Sequence, residues 1–204
     1  MAVTVPASDL TLLTLDELRD ATGVTSGQDA KLAALGRAVA SAITSRCNVP
    51  AAGAHTPTLR VETLSESFRL ECPVDELVLG RRPVTEIVSV TEGGVLLTAD
   101  EYELHAGAGI LYRLCNPERA WWSSCGKTMV VYSAGWASVP ENLRSAAKKL
   151  ATLLWSEGGR DPSLRSFELP DVISKTYWVG PTDDPLISNE IDDLLRDYIN
   201  PMVG

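Results

Sequence analysis

Residues 130–159 read VVYSAGWASVPENLRSAAKKLATLLWSEGG and carry the chain out of an alternating β pattern, through a tight bend at Ala134-Gly135-Trp136, into its clearest helical pattern. Leu143, Ala146, Ala147, Leu150, Ala151 and Leu154 recur at helical spacing, while Arg144, Lys148 and Lys149 fall off that stripe. The pattern predicts an amphipathic helix over 140–158. Ser138 and Glu141 stand three apart, the spacing at which an N-cap hydroxyl and an N3 carboxylate each accept the other residue's amide. Pro140 fits the first turn because an amide there has no intrahelical acceptor to lose. Gly158-Gly159 is the expected stop, since glycine enters the left-handed C-cap conformation without a Cβ penalty.

Upstream of this stretch, Thr14 and Glu17 repeat the capping-box spacing and open a short helix reaching about Ala21, with Gly23 behind it. Asp29 is expected to cap a longer helix with Leu32, Leu35, Val39 and Ile43 as its apolar stripe. Gly36, Ala40 and Ala42 leave room for a close helix neighbour, and the Ala-rich 140–158 helix is the expected one. Arg46-Cys47-Asn48 closes the helix, and 50–57 reads as an Ala/Gly/Pro linker.

From 58 to 133 the period changes to two. LRVETL, ESFRLE, ELVLG, VTEIVSV, GVLLT, YELH, GILYRL and KTMVVYS read as eight short strands. Glu92-Gly93-Gly94 is a hairpin signal, because glycine supplies the positive φ of the favoured turns. Eight strands of this length predict a compact antiparallel β-sandwich or barrel-like insert between helical pieces.

Downstream of Gly159 the prolines at 162, 170, 181 and 185 frame an irregular region with one expected strand over 172–179, where Ile173, Tyr177 and Trp178 make an apolar edge. Asn189 is placed to cap a last helix whose first turn holds Glu190, Asp192 and Asp193, favourable against the positive end of the helix dipole. Ile191, Leu194, Leu195, Tyr198 and Ile199 form its stripe ahead of Pro201. Such a stripe has two destinations: its own domain, or a groove on a neighbouring chain.

At 204 residues, 45% hydrophobic and 22% charged, the chain is long enough for a real core and has globular composition. No apolar run approaches a membrane span, and MAVTVPASDL has no basic and apolar leader pattern, so a cytoplasmic start is expected. A net charge of −9 argues against wrapping DNA by phosphate neutralisation. Nine acids against four bases fall in 160–204, the composition of a solvated segment. Cys47, Cys72, Cys115 and Cys125 are scattered and lack metal-ligand spacing, so reduced thiols and no metal are expected.

Motifs that suggest chemistry fail on their surroundings. Gly126-Lys127-Thr128 has Trp121 where a phosphate loop needs its first glycine, and a strand pattern where it needs a helix. His55 and His105 have no nucleophile at motif spacing. Asp183-Asp184 and Asp192-Asp193 are adjacent pairs, and adjacent helical residues do not face each other. Trp121-Trp122 beside Arg119 lacks the basic groove of a base-stacking platform, so a core or interface role is expected. No catalytic residue and no cofactor site is expected.

Taken together, LTLDELRDATGV, the helix ending in SRCNV, the β-rich insert, YSAGWASVPENLRSAAKKLATLLW and SKTYWVG…ISNEIDDLLRDYI span nearly the whole chain. Their layout resembles the head–tail connector (adaptor) proteins of long-tailed bacteriophages and gene-transfer-agent particles, in the variety with a β insert between helices. The resemblance implies an α+β fold, a helical connector scaffold of about four helices with an inserted antiparallel β subdomain. Its expected parts are a helical 1–57, a β-rich insertion 58–133, and a helical 134–204 whose arm, 160–204, does the docking. It implies a non-enzymatic virion protein that forms a dodecameric ring beneath the portal and meets the stopper or tail-completion protein on its other side. DNA would pass without specific binding, and no membrane would be involved. The place implied is the capsid–tail junction, after assembly in the host cytoplasm. Leu143, Leu150 and Leu154 would hold the helical scaffold, and Ile191, Leu194, Leu195, Tyr198 and Ile199 would dock on the portal. The competing readings are another neck or tail-completion protein and a small phage-encoded hydrolase.

Overall fold

The computed structural model describes residues 1–25, 27–116, 118–157 and 188–200, together with a paired segment within 166–176. The chain divides into two compact units, one built from Met1–Leu10, Thr44–Val139 and Ile199–Gly204, the other from Thr11–Ile43 and Pro140–Tyr198. The fold class is α+β, as expected.

The first unit is a β-sandwich. Its larger sheet runs in the order β1 (Ala2–Val5), β2 (Glu62–Arg69), β9 (Lys127–Ala134), β4 (Val84–Glu92), β5 (Val95–Leu96). Its smaller sheet runs β3 (Glu76–Val78), β7 (Ile110–Cys115), β6 (Tyr102–His105), with β8 (Glu118–Ala120) also on β7. All the pairings are antiparallel. Alternation places Leu64, Val90, Val130 and Tyr132 of the larger sheet in one core with Leu77 and Leu111 of the smaller. Two sheets sharing a core form a sandwich, and the strands described do not close into a barrel.

LRVETL and ESFRLE are one strand, β2, because Glu66 in its polar middle turns inward to accept the Tyr132 hydroxyl at 2.8 Å. The hairpin at Gly93-Gly94 forms as the sequence predicts, with φ of 57° and 88°. β1 and β8 are additional strands without a strong alternating pattern, and β1 joins residues near the start to the sandwich through its pairing with β2.

The second unit holds α1 (Leu15–Thr22), α2 (Asp29–Arg46) as far as Ile43, α3 (Glu141–Glu157) and α4 (Asn189–Leu195), the last followed by a 3-10 turn, Arg196–Tyr198. β10 (Ser166–Leu169) pairs with β11 (Ile173–Thr176). β11 falls in the strand expected over 172–179, whereas Tyr177, Trp178 and the Gly158-Gly159 stop lie outside the described residues.

The α1 box is complete: Thr14 Oγ1 accepts the Glu17 amide at 3.3 Å, Glu17 accepts the Thr14 amide at 2.9 Å, and Gly23 caps the other end at φ 70°. Three cap expectations shift. The Arg144 amide donates to the Pro140 carbonyl, so Pro140 occupies the N-cap of α3, and Glu141 pairs with Arg144 rather than returning to Ser138. Asp29 lies inside the first turn of α2, its carboxylate drawn to Arg19 of α1 at 2.9 Å. Ser188, not Asn189, caps α4 by accepting the Ile191 amide. Gly36 also finds a different neighbour: a Cβ there would stand 2.9 Å from Leu18 of α1, and the helices that approach α3 closely are α1 and α4.

Candidate interaction surfaces

The bend at Ala134-Gly135-Trp136 is locked by backbone. Gly135 sits at φ 106°, and a Cβ on it would lie 2.5 Å from the Arg60 carbonyl oxygen. Its amide donates to Pro83 and that of Trp136 to Leu59, both at 2.9 Å. Only glycine permits this approach, which explains the Ala-Gly-Trp sequence at the end of β9.

In the helical unit, Leu143 and Leu150 of α3 are fully buried, and Leu154 is half-buried. The cations off the stripe are not idle. Arg144 and Lys148 reach Glu17 of α1 at 3.4 and 3.6 Å, Lys149 pairs with Glu190 of α4, and Thr152 donates to the Ala21 carbonyl at 2.8 Å. Burial pushes the Glu17 carboxyl up, but its bonds to Thr14 and the nearby Arg144 and Lys148 leave it below the usual carboxylate range.

The five residues expected to dock do not share one exposed face. Ile191 and Leu195 are buried, at 2% and 0% exposure, where α4 lies along α3. Leu194 and Tyr198 are half-buried in the same unit. Ile199 is half-buried and belongs to the sandwich unit, where the next residue, Asn200, donates its amide to the Cys47 carbonyl at 2.9 Å. The Asn48 side-chain amide donates to the Asn200 backbone carbonyl, and the Asn200 side-chain amide to the Asn48 backbone carbonyl, each at 3.4 Å.

The sandwich holds a buried polar cluster that no sequence pattern announces. Arg81 donates to the Thr58 carbonyl at 2.6 Å and faces Glu62 at 3.5 Å, with the two side chains only 5% and 3% exposed. Tyr132 accepts the Arg81 amide and donates to Glu66, which also accepts the Gly80 amide at 3.0 Å. Burial lowers the Arg81 guanidinium and pushes the Tyr132 phenol above its usual range, with Glu66 adding to the latter. These shifts arise from packing inside a core, so the cluster reads as structural rather than catalytic.

The motifs set aside above fall on ordinary positions. Lys127 and Thr128 open β9, His105 ends β6, and His55 sits in a turn closed on Ala52. Trp122 is fully buried, its indole donating to the Leu111 carbonyl at 3.2 Å, whereas Trp121 is 66% exposed. Cys47 is buried; Cys72, Cys115 and Cys125 are exposed and free. Among the described residues no group of His, Cys, Asp and Glu is placed to hold a metal, and no helix is long and apolar enough to cross a membrane.

No family model and no curated protein matches the sequence. Solved structures do match the fold. A chain in the neck of an empty gene transfer agent particle, computed with C6 symmetry, aligns with TM-score 0.60 at 19% identity over 100% of this chain and 98% of its own length. A chain from the virion of a native gene transfer agent particle aligns at 0.55 and 16% identity, covering 98% and 97%. A third, from the neck of the native particle computed with C12 symmetry, gives 0.50 and 20% identity over 83% and 89%.

Proposed function

We propose that this chain is a head–tail adaptor, a non-enzymatic neck protein of a tailed phage or gene-transfer-agent particle. Copies form a ring, a dodecamer in the assembled particle, beneath the portal protein. The ring extends the DNA channel and couples the capsid to the stopper or tail-completion protein. The chain assembles in the host cytoplasm and resides at the capsid–tail junction of the virion. The observation that carries this reading is the full-length likeness of the fold to a chain in a gene-transfer-agent neck, 100% of this chain against 98% of that one. The residue patterns that resemble head–tail adaptors support it as well. Four helices among the described residues favour an adaptor over a stopper or tail-completion protein, which tend to be β-dominated.

A conduit must let DNA slide, and a chain of net charge −9 repels phosphate rather than gripping it. A ring whose lumen is lined mainly by arginine and lysine would overturn that point.

Docking on the portal is assigned to the C-terminal helix. With α4 seated on α3, Leu194 and Tyr198 are the members of its stripe that reach a partner, while Ile191 and Leu195 hold the helix in place. Truncation ahead of α4 would strip those two buried side chains, each worth roughly 1.5–3 kcal/mol, and so confuse folding with docking. Leu194→Asp with Tyr198→Asp is the cleaner change. In pull-downs with purified portal, the double variant is expected to lose at least about tenfold in binding, roughly 1.4 kcal/mol, while its thermal midpoint stays close to the parent's. Equal capture of both proteins would refute docking through α4.

A further inference from the structure

The two outer faces of the sandwich carry opposite charge. Residues opposed across a ladder share a face, so the outer face of the larger sheet is the side away from Leu64, Val130 and Tyr132. Ser67, Met129, Thr91 and Leu96 cross it in one row, and Ser65, Val131 and Ser89 in the next. Neither row contains a charge. Beyond them Arg69 and Lys127 stand directly opposite each other, both exposed, with no carboxylate within 4 Å among the described residues. Like charges so placed are unfavourable in an isolated chain. Glu86, opposite Ser133, lies about 20 Å away along the strands.

The smaller sheet has the reverse character. Glu76, Tyr112 and Glu103 form one row on its outer face, with Val78, Ile110 and His105 in the next, since Leu77, Leu111 and Leu104 face the core. Arg119 stacks 3.7 Å above the Tyr112 ring and pairs with Glu103. Glu76 is exposed and, among the described residues, has no cation within 4 Å. One face thus offers an unbalanced cation pair beside Met129 and Leu96, and the other an unbalanced acidic row around Tyr112.

We infer that these faces meet between copies, the larger sheet of one sandwich stacking on the smaller sheet of the next. The occupant is a second copy because both halves of the match are present on every chain. A contact between two different patches repeats head to tail and closes into a ring when its rotation allows. Depletion of charge across the middle of the larger sheet, with cations at its margin, fits an interface core and its rim. This inference rests on the ring reading above and gives the β insert its role in it.

Sedimentation equilibrium on the full-length chain tests it. The parent is expected to self-associate, weakening with added salt. Arg69→Glu with Lys127→Glu, or Glu76→Lys with Glu103→Lys, should each weaken association by about tenfold or more, roughly 1.4 kcal/mol. Combining all four changes should restore it, because the charges then match in reversed order. Arg69→Gln with Lys127→Gln serves if a reversal disturbs folding, and should give an intermediate loss. No recovery in the fourfold variant, unchanged association after a reversal, or a parent still monomeric at about 1 mM would overturn the stacked-sandwich contact. Rings seen in particles with both sheet faces bare would overturn it too, while leaving the neck role standing.

Discussion

Gly135→Ala is expected to cost roughly 2–6 kcal/mol of unfolding free energy, a large fraction of the about 5–15 kcal/mol that holds an ordinary protein folded. Holding a non-glycine residue at φ 106° costs about 1–3 kcal/mol. Forcing a methyl to 2.5 Å from the Arg60 carbonyl adds an overpacking term of about the same size. The neighbour cannot yield cheaply, because it is backbone held in the bridge between Arg60 and Trp136. Gly23→Ala is the internal control. Gly23 also has a positive φ, 70°, yet nothing lies within 4 Å of its Cβ position, so it should cost only about 1–2 kcal/mol. Urea unfolding of both variants separates the contributions. Equal losses would mean that conformation alone, and not the approach to Arg60, fixes the bend.

The second large effect concerns Glu62 and Arg81. Glu62→Ala leaves a guanidinium that is 5% exposed without its carboxylate, and breaking a buried pair from one side costs about 3–5 kcal/mol. The Nε and Nη2 atoms of Arg81 already lack hydrogen-bond partners, as does Oε2 of Glu62. The intact pair is therefore incompletely satisfied, and its net contribution should be small. The double variant Glu62→Leu/Arg81→Met should recover much of the loss, short of what the Thr58 carbonyl forfeits when Arg81 goes. A double-mutant cycle in denaturant reads this directly. Strict additivity would show that the two side chains act independently.

Local rules made the helices and most of the sandwich strands legible from sequence. The α1 box, the 140–158 helix and the Gly93-Gly94 hairpin each depend on residues within a few positions of one another. What escaped depends on partners far along the chain. Glu66 looks like a polar break in β2 until Tyr132, 66 residues away, receives it. Asp29 looks like a cap until Arg19 claims it. The stripe on α4 was legible as a stripe, but periodicity does not say which neighbour an apolar face meets, and here Ile191 and Leu195 meet their own chain. Arg81 and Glu62 carry no motif at all, and their pairing arises from the register of two strands and a loop. The outer sheet faces were equally hidden, since the charge on a face is known only once cross-strand register is known.

The most direct measurement is electron microscopy of purified particles at a resolution that traces side chains. The account predicts this chain in a symmetric ring at the capsid–tail junction, with α4 turned to the portal and neighbouring sandwiches stacked sheet on sheet. Particles whose neck is complete without this chain, or in which it lies in the tail, would contradict it.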